Sequence, residues 1–407
     1  TIDQIAYNKA PGPEADDDFG AALAIWEDTM AIGVPANDKR RGAVHLFERK
    51  DGAWELSTTL KAASPQEHDY FGISVALSGN SLAIGRQSMS GGGTSVLLFR
   101  RSGEGWIQEH EIAEIGSAIS LSGSVLAISA PYDAHRGMNS GAVHLFRRSN
   151  GVWQRDGKLH ASNAEAGDGF GSSVALDGDT LVVGANYEDS IATGSGGNES
   201  DNSLPQSGAA YVFRRSAGRW EQEAYLKASN QVGYGYFGSK VAVHGDLIAV
   251  GSDGENSGVA GGAPESASGA VYVFRRANDS WSQEAFLKAS NAEAADKLAG
   301  TVSALAIGDG VVAVSATQED SNATGVNGAQ DDNSADNSGA VYVYRHDSGN
   351  WRQEAYLKAS NTEAHDGFGS SVALSGDTLA IAATGEDSSG EQSDNSLSAS
   401  GAVYLFE

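Results

Sequence analysis

The sequence of 407 residues contains no cysteine and only seven prolines. The lack of cysteine excludes disulfide bonds, thiolate metal sites and a cysteine nucleophile. No apolar run approaches the 18 or more residues of a membrane-spanning helix, so we expect no membrane insertion. Basic residues are also scarce, because 27 Lys and Arg stand against 53 Asp and Glu, a formal net charge of −26. This charge repels phosphate backbones and therefore disfavours nucleic acid as a partner.

Glycine, by contrast, is abundant, and the chain repeats one pattern seven times. The 52 glycines suit tight turns between short strands. The clearest repeated segment has the form Gly-Ala-Val-Tyr-Val-Phe, and its copies, 47 to 70 residues apart, start at Gly42, Thr94, Gly141, Gly208, Gly269, Gly339 and Gly401. A repeat of this length is too small to bury a core alone and is typical of a propeller or a solenoid.

One copy, residues 170–228, shows what each repeat contains. Residues 170–176 and 180–185 are short apolar runs separated by a tight Asp-Gly-Asp turn, and residues 208–213 and 220–228 indicate two further strands. No segment has a convincing 3.6-residue periodicity. The sequence therefore predicts an all-β fold, a seven-bladed β-propeller of four-stranded antiparallel blades.

The two ends of the chain are predicted to share the last blade. Residues 401–407 form a third strand without a fourth, and residues 5–10 match the fourth strand at residues 223–228. We expect the N-terminal strand to close the last blade, which removes an open sheet edge. The chain then forms a single domain, 1–407, that we expect to be monomeric. Its blades span approximately residues 19–62, 71–113, 115–161, 170–228, 237–289, 298–359 and 368–407 plus 3–10.

Phe-Gly pairs precede an alternating strand in most copies. They are Phe19-Gly20, Phe71-Gly72, Phe170-Gly171, Phe237-Gly238 and Phe368-Gly369, whereas the third copy has Ile115-Gly116 and the sixth has Leu298-Ala299-Gly300. This pattern resembles the FG-GAP repeat, which is found in the propeller of integrin α-subunits and in many bacterial surface and secreted proteins. The resemblance implies a propeller fold and an extracellular, cell-surface or periplasmic location. Thr1 is not a start methionine, so we expect a mature or trimmed chain.

The calcium sites of the integrin repeats do not transfer to this chain. Those repeats carry a loop of alternating aspartates between the first and second strands. Here that position holds only short turns, at residues 78–80, 177–179, 244–246 and 375–377. Such turns are too short to wrap a cation that takes six to eight oxygen ligands.

The loops between the second and third strands repeat an acidic motif of their own. Glu-Asp-Ser at 188–190 and Asp-Asn-Ser at 201–203 recur at 319–321 and 332–334, and a shortened version lies within residues 386–396. The candidate binding residues of these loops are Glu188, Asp189, Asp201, Asn202, Glu319, Asp320, Asp332, Asn333, Glu386, Asp387, Asp394 and Asn395.

Two interpretations of this motif stay open. Oxygen-bearing side chains on a glycine-rich backbone are what calcium requires. The metal ligands would then be Asp189, Asp201, Asp320, Asp332, Asp387 and Asp394. Alternatively, Asp, Asn and Ser close the long loops by hydrogen bonding to their own backbone. Calcium is the one cofactor that the sequence suggests.

The sequence offers poor signals for catalysis. It contains no His-Glu-x-x-His, no Gly-x-Ser-x-Gly and no phosphate-binding glycine loop. Its paired carboxylates occur in repeated positions, whereas an active site needs one group of residues that is not repeated. We therefore expect a non-catalytic recognition or adhesion module that binds a protein or a glycan through an acidic loop face. A propeller-fold polysaccharide lyase or glycosidase and a structural segment of a larger adhesin remain as alternatives.

Six tryptophans open the predicted fourth strands at one register: Trp54, Trp106, Trp153, Trp220, Trp281 and Trp351. Such a series could stack on sugar rings. One tryptophan per repeat at the same position favours packing between blades instead. Trp26 lies outside this register.

Overall fold

The computed structural model describes residues 2–89, 93–103, 105–114, 116, 118–257, 266–300 and 303–407. Within these ranges the strands form seven antiparallel sheets, and the protein folds as a seven-bladed β-propeller. The predicted fold class is therefore confirmed. The short element α1 (Asn37–Arg40) is a single turn in which Asp38 and Lys39 have positive φ, so it is not a regular helix.

Blades are numbered one to seven in chain order, and each contains four strands that follow one another across the sheet. The first strands are β2 (Ala22–Trp26), β6 (Ser74–Ser78), β10 (Ile119–Ser122), β14 (Ser173–Asp177), β19 (Phe237–His244), β23 (Leu305–Gly308) and β27 (Phe368–Ser375). The second strands are β3 (Thr29–Val34), β7 (Ser81–Ser88), β11 (Val125–Ala130), β15 (Thr180–Ala185), β20 (Leu247–Ser252), β24 (Val311–Ala316) and β28 (Thr378–Ala383). The third strands are β4 (Ala43–Lys50), β8 (Gly93–Ser102), β12 (Ala142–Ser149), β17 (Ala209–Ser216), β21 (Ala270–Ala277), β25 (Ala340–Asp347) and β29 (Ala402–Phe406). The fourth strands are β5 (Ala53–Leu60), β9 (Gly105–Ile112), β13 (Val152–Leu159), β18 (Arg219–Lys227), β22 (Ser280–Leu287), β26 (Asn350–Leu357) and, in blade seven, β1 (Gln4–Asn8).

The N-terminal strand closes blade seven, as predicted. β1 pairs antiparallel with β29, and Tyr7 lies opposite Tyr404 in this ladder. Blade one is tied to blade seven by an ion pair in which the Arg49 guanidinium donates to the Glu407 carboxylate at 2.5 Å. The two ends of the chain therefore meet in one sheet.

Blade four carries a short additional strand that the sequence did not predict. β16 (Gly194–Ser195) lies in the long loop between β15 and β17 and pairs with the outer strand β18, Gly194 opposite Lys227. The loop thus folds back along the sheet and covers part of an edge that would otherwise present unpaired backbone groups.

The second strands of five blades are buried along their whole length. Every residue of β3, β11, β15, β20 and β28 is buried. These strands consist largely of small and β-branched residues, which suits a strand that is covered on both faces. The fourth strand β13, in contrast, carries exposed and half-buried residues along most of its length.

Each Phe-Gly pair joins a blade to the one before it. The backbone N–H of Phe237 donates to the Ser207 carbonyl of blade four at 3.0 Å, while its buried ring packs 5.3 Å from the Tyr272 ring of blade five. Gly238 follows with a φ of +94°, and a Cβ there would lie 2.3 Å from the Ala209 carbonyl oxygen. Glycine is therefore required both by the conformation and by the close approach.

The two copies without phenylalanine have different outcomes. Leu298 of the sixth copy is fully buried and forms a parallel bridge with Gly269, so it takes the place that phenylalanine has elsewhere. Ile115 of the third copy lies outside the described residues. Within the described ranges, no helix has the length and apolar character needed to cross a membrane.

The chain divides into two compact units. The first comprises Thr1–Ile115, Ala313–Val343 and Glu354–Glu407 and contains blades one, two and seven. The second comprises Gly116–Val312 and Tyr344–Gln353 and contains blades three, four and five. The assignment of one domain to residues 1–407 stays a prediction.

Candidate functional site

The loops between the second and third strands, hereafter the 2–3 loops, are anchored by buried glutamates. Glu188, Glu319 and Glu386 are each at most 2% exposed. Glu188 in blade four accepts a hydrogen bond from the Lys227 ammonium at 2.7 Å, and Glu319 in blade six accepts one from Lys358 at 2.8 Å. These three candidate binding residues therefore lie inside the protein and form ion pairs with lysines at, or directly after, the ends of the fourth strands.

The same glutamates accept further hydrogen bonds within each blade. In blade four, the Tyr225 hydroxyl donates to Glu188 at 2.7 Å, and Lys227 also donates to the Ser207 hydroxyl at 2.8 Å. The Asn163 amide, which comes from the end of blade three, donates to Glu188 at 3.3 Å. We call this arrangement of Glu, Lys, Tyr and Ser the buried lock.

The buried lock recurs in three other blades with one variation. In blade six, Tyr356 donates to Glu319 at 2.7 Å and Lys358 to Ser338 at 2.6 Å. Blade seven builds its lock across the chain ends, because Tyr7 and Lys9 donate to Glu386 at 2.9 and 2.6 Å and Lys9 donates to Ser400 at 2.6 Å. Blade five keeps the ion pair of Lys288 with Glu255, at 2.5 Å, but has Phe286 where the others have tyrosine.

Burial and pairing oppose each other in the buried lock. Burial lowers the pKa of Lys227, and the charge of Glu188 works against that shift. Burial alone would raise the pKa of Glu386, but the hydrogen bond and charge of Lys9, together with hydrogen bonds from Ser388 and Tyr7, hold the pKa below its usual range. A buried pair of this kind is costly to break, because removal of one partner leaves an uncompensated charge in the interior.

The second acidic residue of each motif caps the end of its own loop. Asp189 accepts a hydrogen bond from the backbone N–H of Gln206 at 2.7 Å. Asp320 accepts from Asn337 and Asp387 accepts from Ala399, again at 2.7 Å in both cases. All three aspartates thus hold the segment that leads into the third strand.

The Asp-Asn-Ser part of the motif forms turns at the outer part of the loops. Asp201 accepts from the Ser203 backbone N–H at 3.0 Å, and the same bond recurs for Asp332 with Ser334 and for Asp394 with Ser396. The neighbouring asparagines reach an inter-blade loop, the segment between the fourth strand of one blade and the first strand of the next. Asn202 donates to Glu165 at 2.7 Å and Asn395 to Glu363 at 2.5 Å. All three asparagines, with Asn333 of blade six, are exposed.

These hydrogen bonds match the second interpretation of the motif, in which Asp, Asn and Ser close the long loops by hydrogen bonding to their own backbone. In the part of the chain that the structure describes, no three His, Asp or Glu side chains are grouped so that they could hold a metal ion. The turns between first and second strands are two-residue hairpins, as at Gly178-Asp179 between β14 and β15, and cannot supply a ring of ligands. Calcium binding by Asp189, Asp201, Asp320, Asp332, Asp387 and Asp394 stays a prediction.

A cleft of about 260 Å³ lies at the same end of the blades as the 2–3 loops, within the second compact unit. It is lined by residues of blades three, four and five, among them Pro131, Tyr132, Asn139, Asn186, Tyr187 and Lys240. Tyr132 and Tyr187 are 75% and 44% exposed, so aromatic surface faces solvent there. Among the described residues, those that line the cleft include no Asp, Glu or His.

One polar group of the cleft, the side chain of Asn186, is deeply buried. Asn186 is only 6% exposed, and its side-chain Oδ1 has no hydrogen-bond partner among the described residues. A Cβ added at Gly169 would lie 3.2 Å from the Tyr187 ring and 3.8 Å from Asn186 Oδ1, so both side chains lie close to the backbone of this glycine. Burial lowers the pKa of Lys240, and the charge of Asp253 opposes that shift.

Comparison with known families identifies the repeat. The model of the FG-GAP repeat matches residues 54–96, 113–146, 153–213, 220–274 and 351–406, more than half of the chain. The protein belongs to the FG-GAP repeat family. No curated protein sequence matches the chain.

The tryptophan series of this FG-GAP propeller packs between blades. Trp54, Trp153 and Trp281 are buried, and the Trp281 indole N–H donates to Glu223 of the preceding blade at 2.8 Å. Glu223 also accepts from Arg276 at 2.8 Å. The series is therefore not an exposed ladder for sugar stacking.

Sequence reasoning missed a set of buried aspartates in the inter-blade loops of the FG-GAP repeat. Each accepts a hydrogen bond from the backbone N–H three residues before it, at 2.8–2.9 Å; they are Asp17, Asp69, Asp168, Asp296 and Asp366. Burial raises the pKa of Asp168 to about 7, and the charge of Glu188 adds to the shift. Their signal in the sequence is an aspartate two residues before the Phe-Gly pair or its Leu298 counterpart.

Proposed function

We propose that this FG-GAP propeller is a non-catalytic recognition module that binds a protein or a glycan through its acidic 2–3 loops. The observation that carries the proposal is the buried lock, which fixes the base of these loops while their outer residues stay exposed. Binding residues are commonly found on loops that a rigid scaffold positions, because little conformational entropy is then lost on binding. The FG-GAP propeller family is generally non-catalytic.

The charge of the loops is the second support for this proposal. Asp331 in blade six and Glu391 in blade seven are exposed acidic residues of 2–3 loops. Exposed charge at a binding surface governs the rate of encounter and the choice of partner more than the final affinity. We expect a partner with basic or hydrogen-bond-donating groups, in the extracellular, cell-surface or periplasmic location that the family resemblance implies.

A glycan array and a protein array, each probed with the full chain in calcium and in chelator, test this function. We expect the variant Asp331→Asn/Glu391→Gln to bind the captured ligand at least threefold more weakly than the unaltered protein at low salt. The matched control is Asp51→Asn, at the β4–β5 turn on the opposite end of its blade, which should bind normally. Ligand binding that is indifferent to the loop variant would contradict the role of the acidic loops. Binding that persists in chelator would show that calcium is not required for it.

A further inference from the structure

Two residues of the cleft, Lys240 and Tyr187, differ from the residues that other blades have at the same positions of the repeat. Lys240 in β19 stands where blade four has Ser173 and blade seven has Ser371. Ser173 is buried and donates to a backbone carbonyl of the next blade at 2.8 Å, so a serine satisfies the fold at this position. Tyr187 stands where blade five has Gly254 and blade seven has Gly385, and its counterpart in blade three is Tyr132, the second aromatic residue of the cleft. Neither the lysine nor the tyrosine is required by the repeat.

The buried amide of Asn186 provides an independent observation. An acceptor that is buried without a donor is destabilising, and such groups in native proteins call for an explanation. Asn186 lines the cleft beside Tyr187, which is 44% exposed. A ligand hydroxyl would then supply the hydrogen-bond donor that Asn186 Oδ1 lacks among the described residues.

Size, polarity and charge together select the class of ligand. A volume of about 260 Å³ lies just below the range of about 300–1,000 Å³ found for drug-sized ligands, so one ring fits. A purely apolar ring would pack on Tyr132 and Tyr187 but would leave Asn186 without a donor. An anionic ligand is disfavoured by the net charge of −26. A sugar ring has both an apolar C–H face and hydroxyl groups that can donate and accept.

We infer that the cleft binds one neutral pyranose unit, stacked on Tyr187 and Tyr132 and hydrogen bonded to Asn186 and Lys240. This inference rests on the proposed function only in taking the protein to be a glycan-binding module, and it places the glycan in the cleft, a site separate from the acidic loops. The Lys240 ammonium donates to a sugar hydroxyl, and Asn186 accepts from one. The acidic 2–3 loops of blades six and seven do not contribute to this site.

Titration of the full chain with a panel of neutral methyl pyranosides, monitored by ligand-observed NMR, tests the inference. We expect at least one of them to bind with a dissociation constant on the order of 1 mM, which is ordinary for a single small ligand. Lys240→Ser and Tyr187→Gln, the first of which installs the residue of other blades, should each weaken binding at least fivefold. Trp26→Ala removes an exposed aromatic, 43% accessible, outside the cleft and should leave binding unchanged.

The outcomes separate this inference from the proposed function. Failure of every neutral pyranoside to bind, or equal binding by Lys240→Ser and the unaltered protein, would overturn the sugar site. If array ligands are lost only in Asp331→Asn/Glu391→Gln, the acidic loops act without the cleft and the inference fails alone. If pyranosides bind and only the cleft variants lose this binding, the sugar site in the cleft is supported. The proposed role of the acidic loops in ligand binding is then contradicted. Thermal melts of each variant confirm that it is folded.

Discussion

At the scale of single residues, two buried aspartates of the inter-blade loops, Asp168 and Asp366, are sensitive to pH near neutrality. Asp168 has a pKa of about 7 in the folded protein against an ordinary value of 3.8, because burial and the charge of Glu188 disfavour its ionised form. Asp366 is raised to about 7 in the same way, with Glu386 as its neighbour. At a pH between 3.8 and about 7, each of these aspartates is protonated more often in the folded state than in the unfolded state. The free energy of unfolding therefore falls as the pH rises through this range.

The variant Asp168→Asn should remove one such group while it keeps the acceptor for the Glu165 backbone N–H. We expect equal stability of variant and unaltered protein near pH 4, where the aspartic acid is largely neutral in the folded state. At pH 8 the variant should be more stable by on the order of 1–4 kcal/mol, because the unaltered protein then carries a buried charge. Melting temperatures measured from pH 4 to pH 8 check this. Asp201→Asn serves as the control, because Asp201 is half-exposed and hydrogen bonds from Ser203 and Ile191 lower its pKa, and it should show no such gain. An Asp168→Asn protein that is less stable than the unaltered protein at pH 8 would refute the argument.

At the scale of elements, the buried lock joins three separate parts of one blade. In blade four its lysine and tyrosine come from the fourth strand and its glutamate comes from the 2–3 loop. Its serine, Ser207, lies two residues before the third strand. The long loops are therefore held by long-range side-chain contacts and not only by their own turns. This explains why the repeat keeps Tyr-x-Lys at the end of an otherwise half-exposed strand, as at Tyr225 and Lys227.

Lys227→Met should destabilise blade four by about 3–5 kcal/mol, because Glu188 is left buried without its partner. Chemical denaturation gives the change in the free energy of unfolding. Tyr225→Phe is the matched milder change, since blade five already has Phe286 at this position, and it should cost about 1 kcal/mol. The double variant Lys227→Met/Glu188→Gln also removes the buried negative charge and should therefore recover part of the lost free energy of unfolding. Equal effects of Lys227→Met and Tyr225→Phe would argue against a buried ion pair as the main stabilising contact.

At the scale of the whole molecule, β1 does more than fill an empty edge. It supplies the last ladder of blade seven, and the N-terminal segment that contains it also supplies the two donors, Tyr7 and Lys9, of that blade's buried lock. The 2–3 loop of blade seven is thus anchored by residues from the opposite end of the chain. Its loss would expose the edge of β29 and leave Glu386 buried without a cation.

Deletion of residues 1–10 should therefore lower the melting temperature by more than the single change Lys9→Met does. Lys9→Met removes the cation alone, whereas the deletion also removes the backbone ladder with β29. Differential scanning calorimetry of both variants measures the difference. A melt of the deleted chain that matches the unaltered protein would show that β1 is not needed to close the blade.

The sequence by itself determined the repeat, the number of blades and the closing role of residues 5–10, because all of these are written as short patterns that recur in register. It also located the acidic loops, but it offered Glu188 as a binding residue of the acidic loop face, whereas the tertiary structure buries Glu188 against Lys227. Only the fold decided that contact, since the two residues lie 39 positions apart and meet through the pairing of strands. The cleft has the same origin: Tyr132, Asn186 and Lys240 belong to three different blades, and no local pattern in the chain records that they come together.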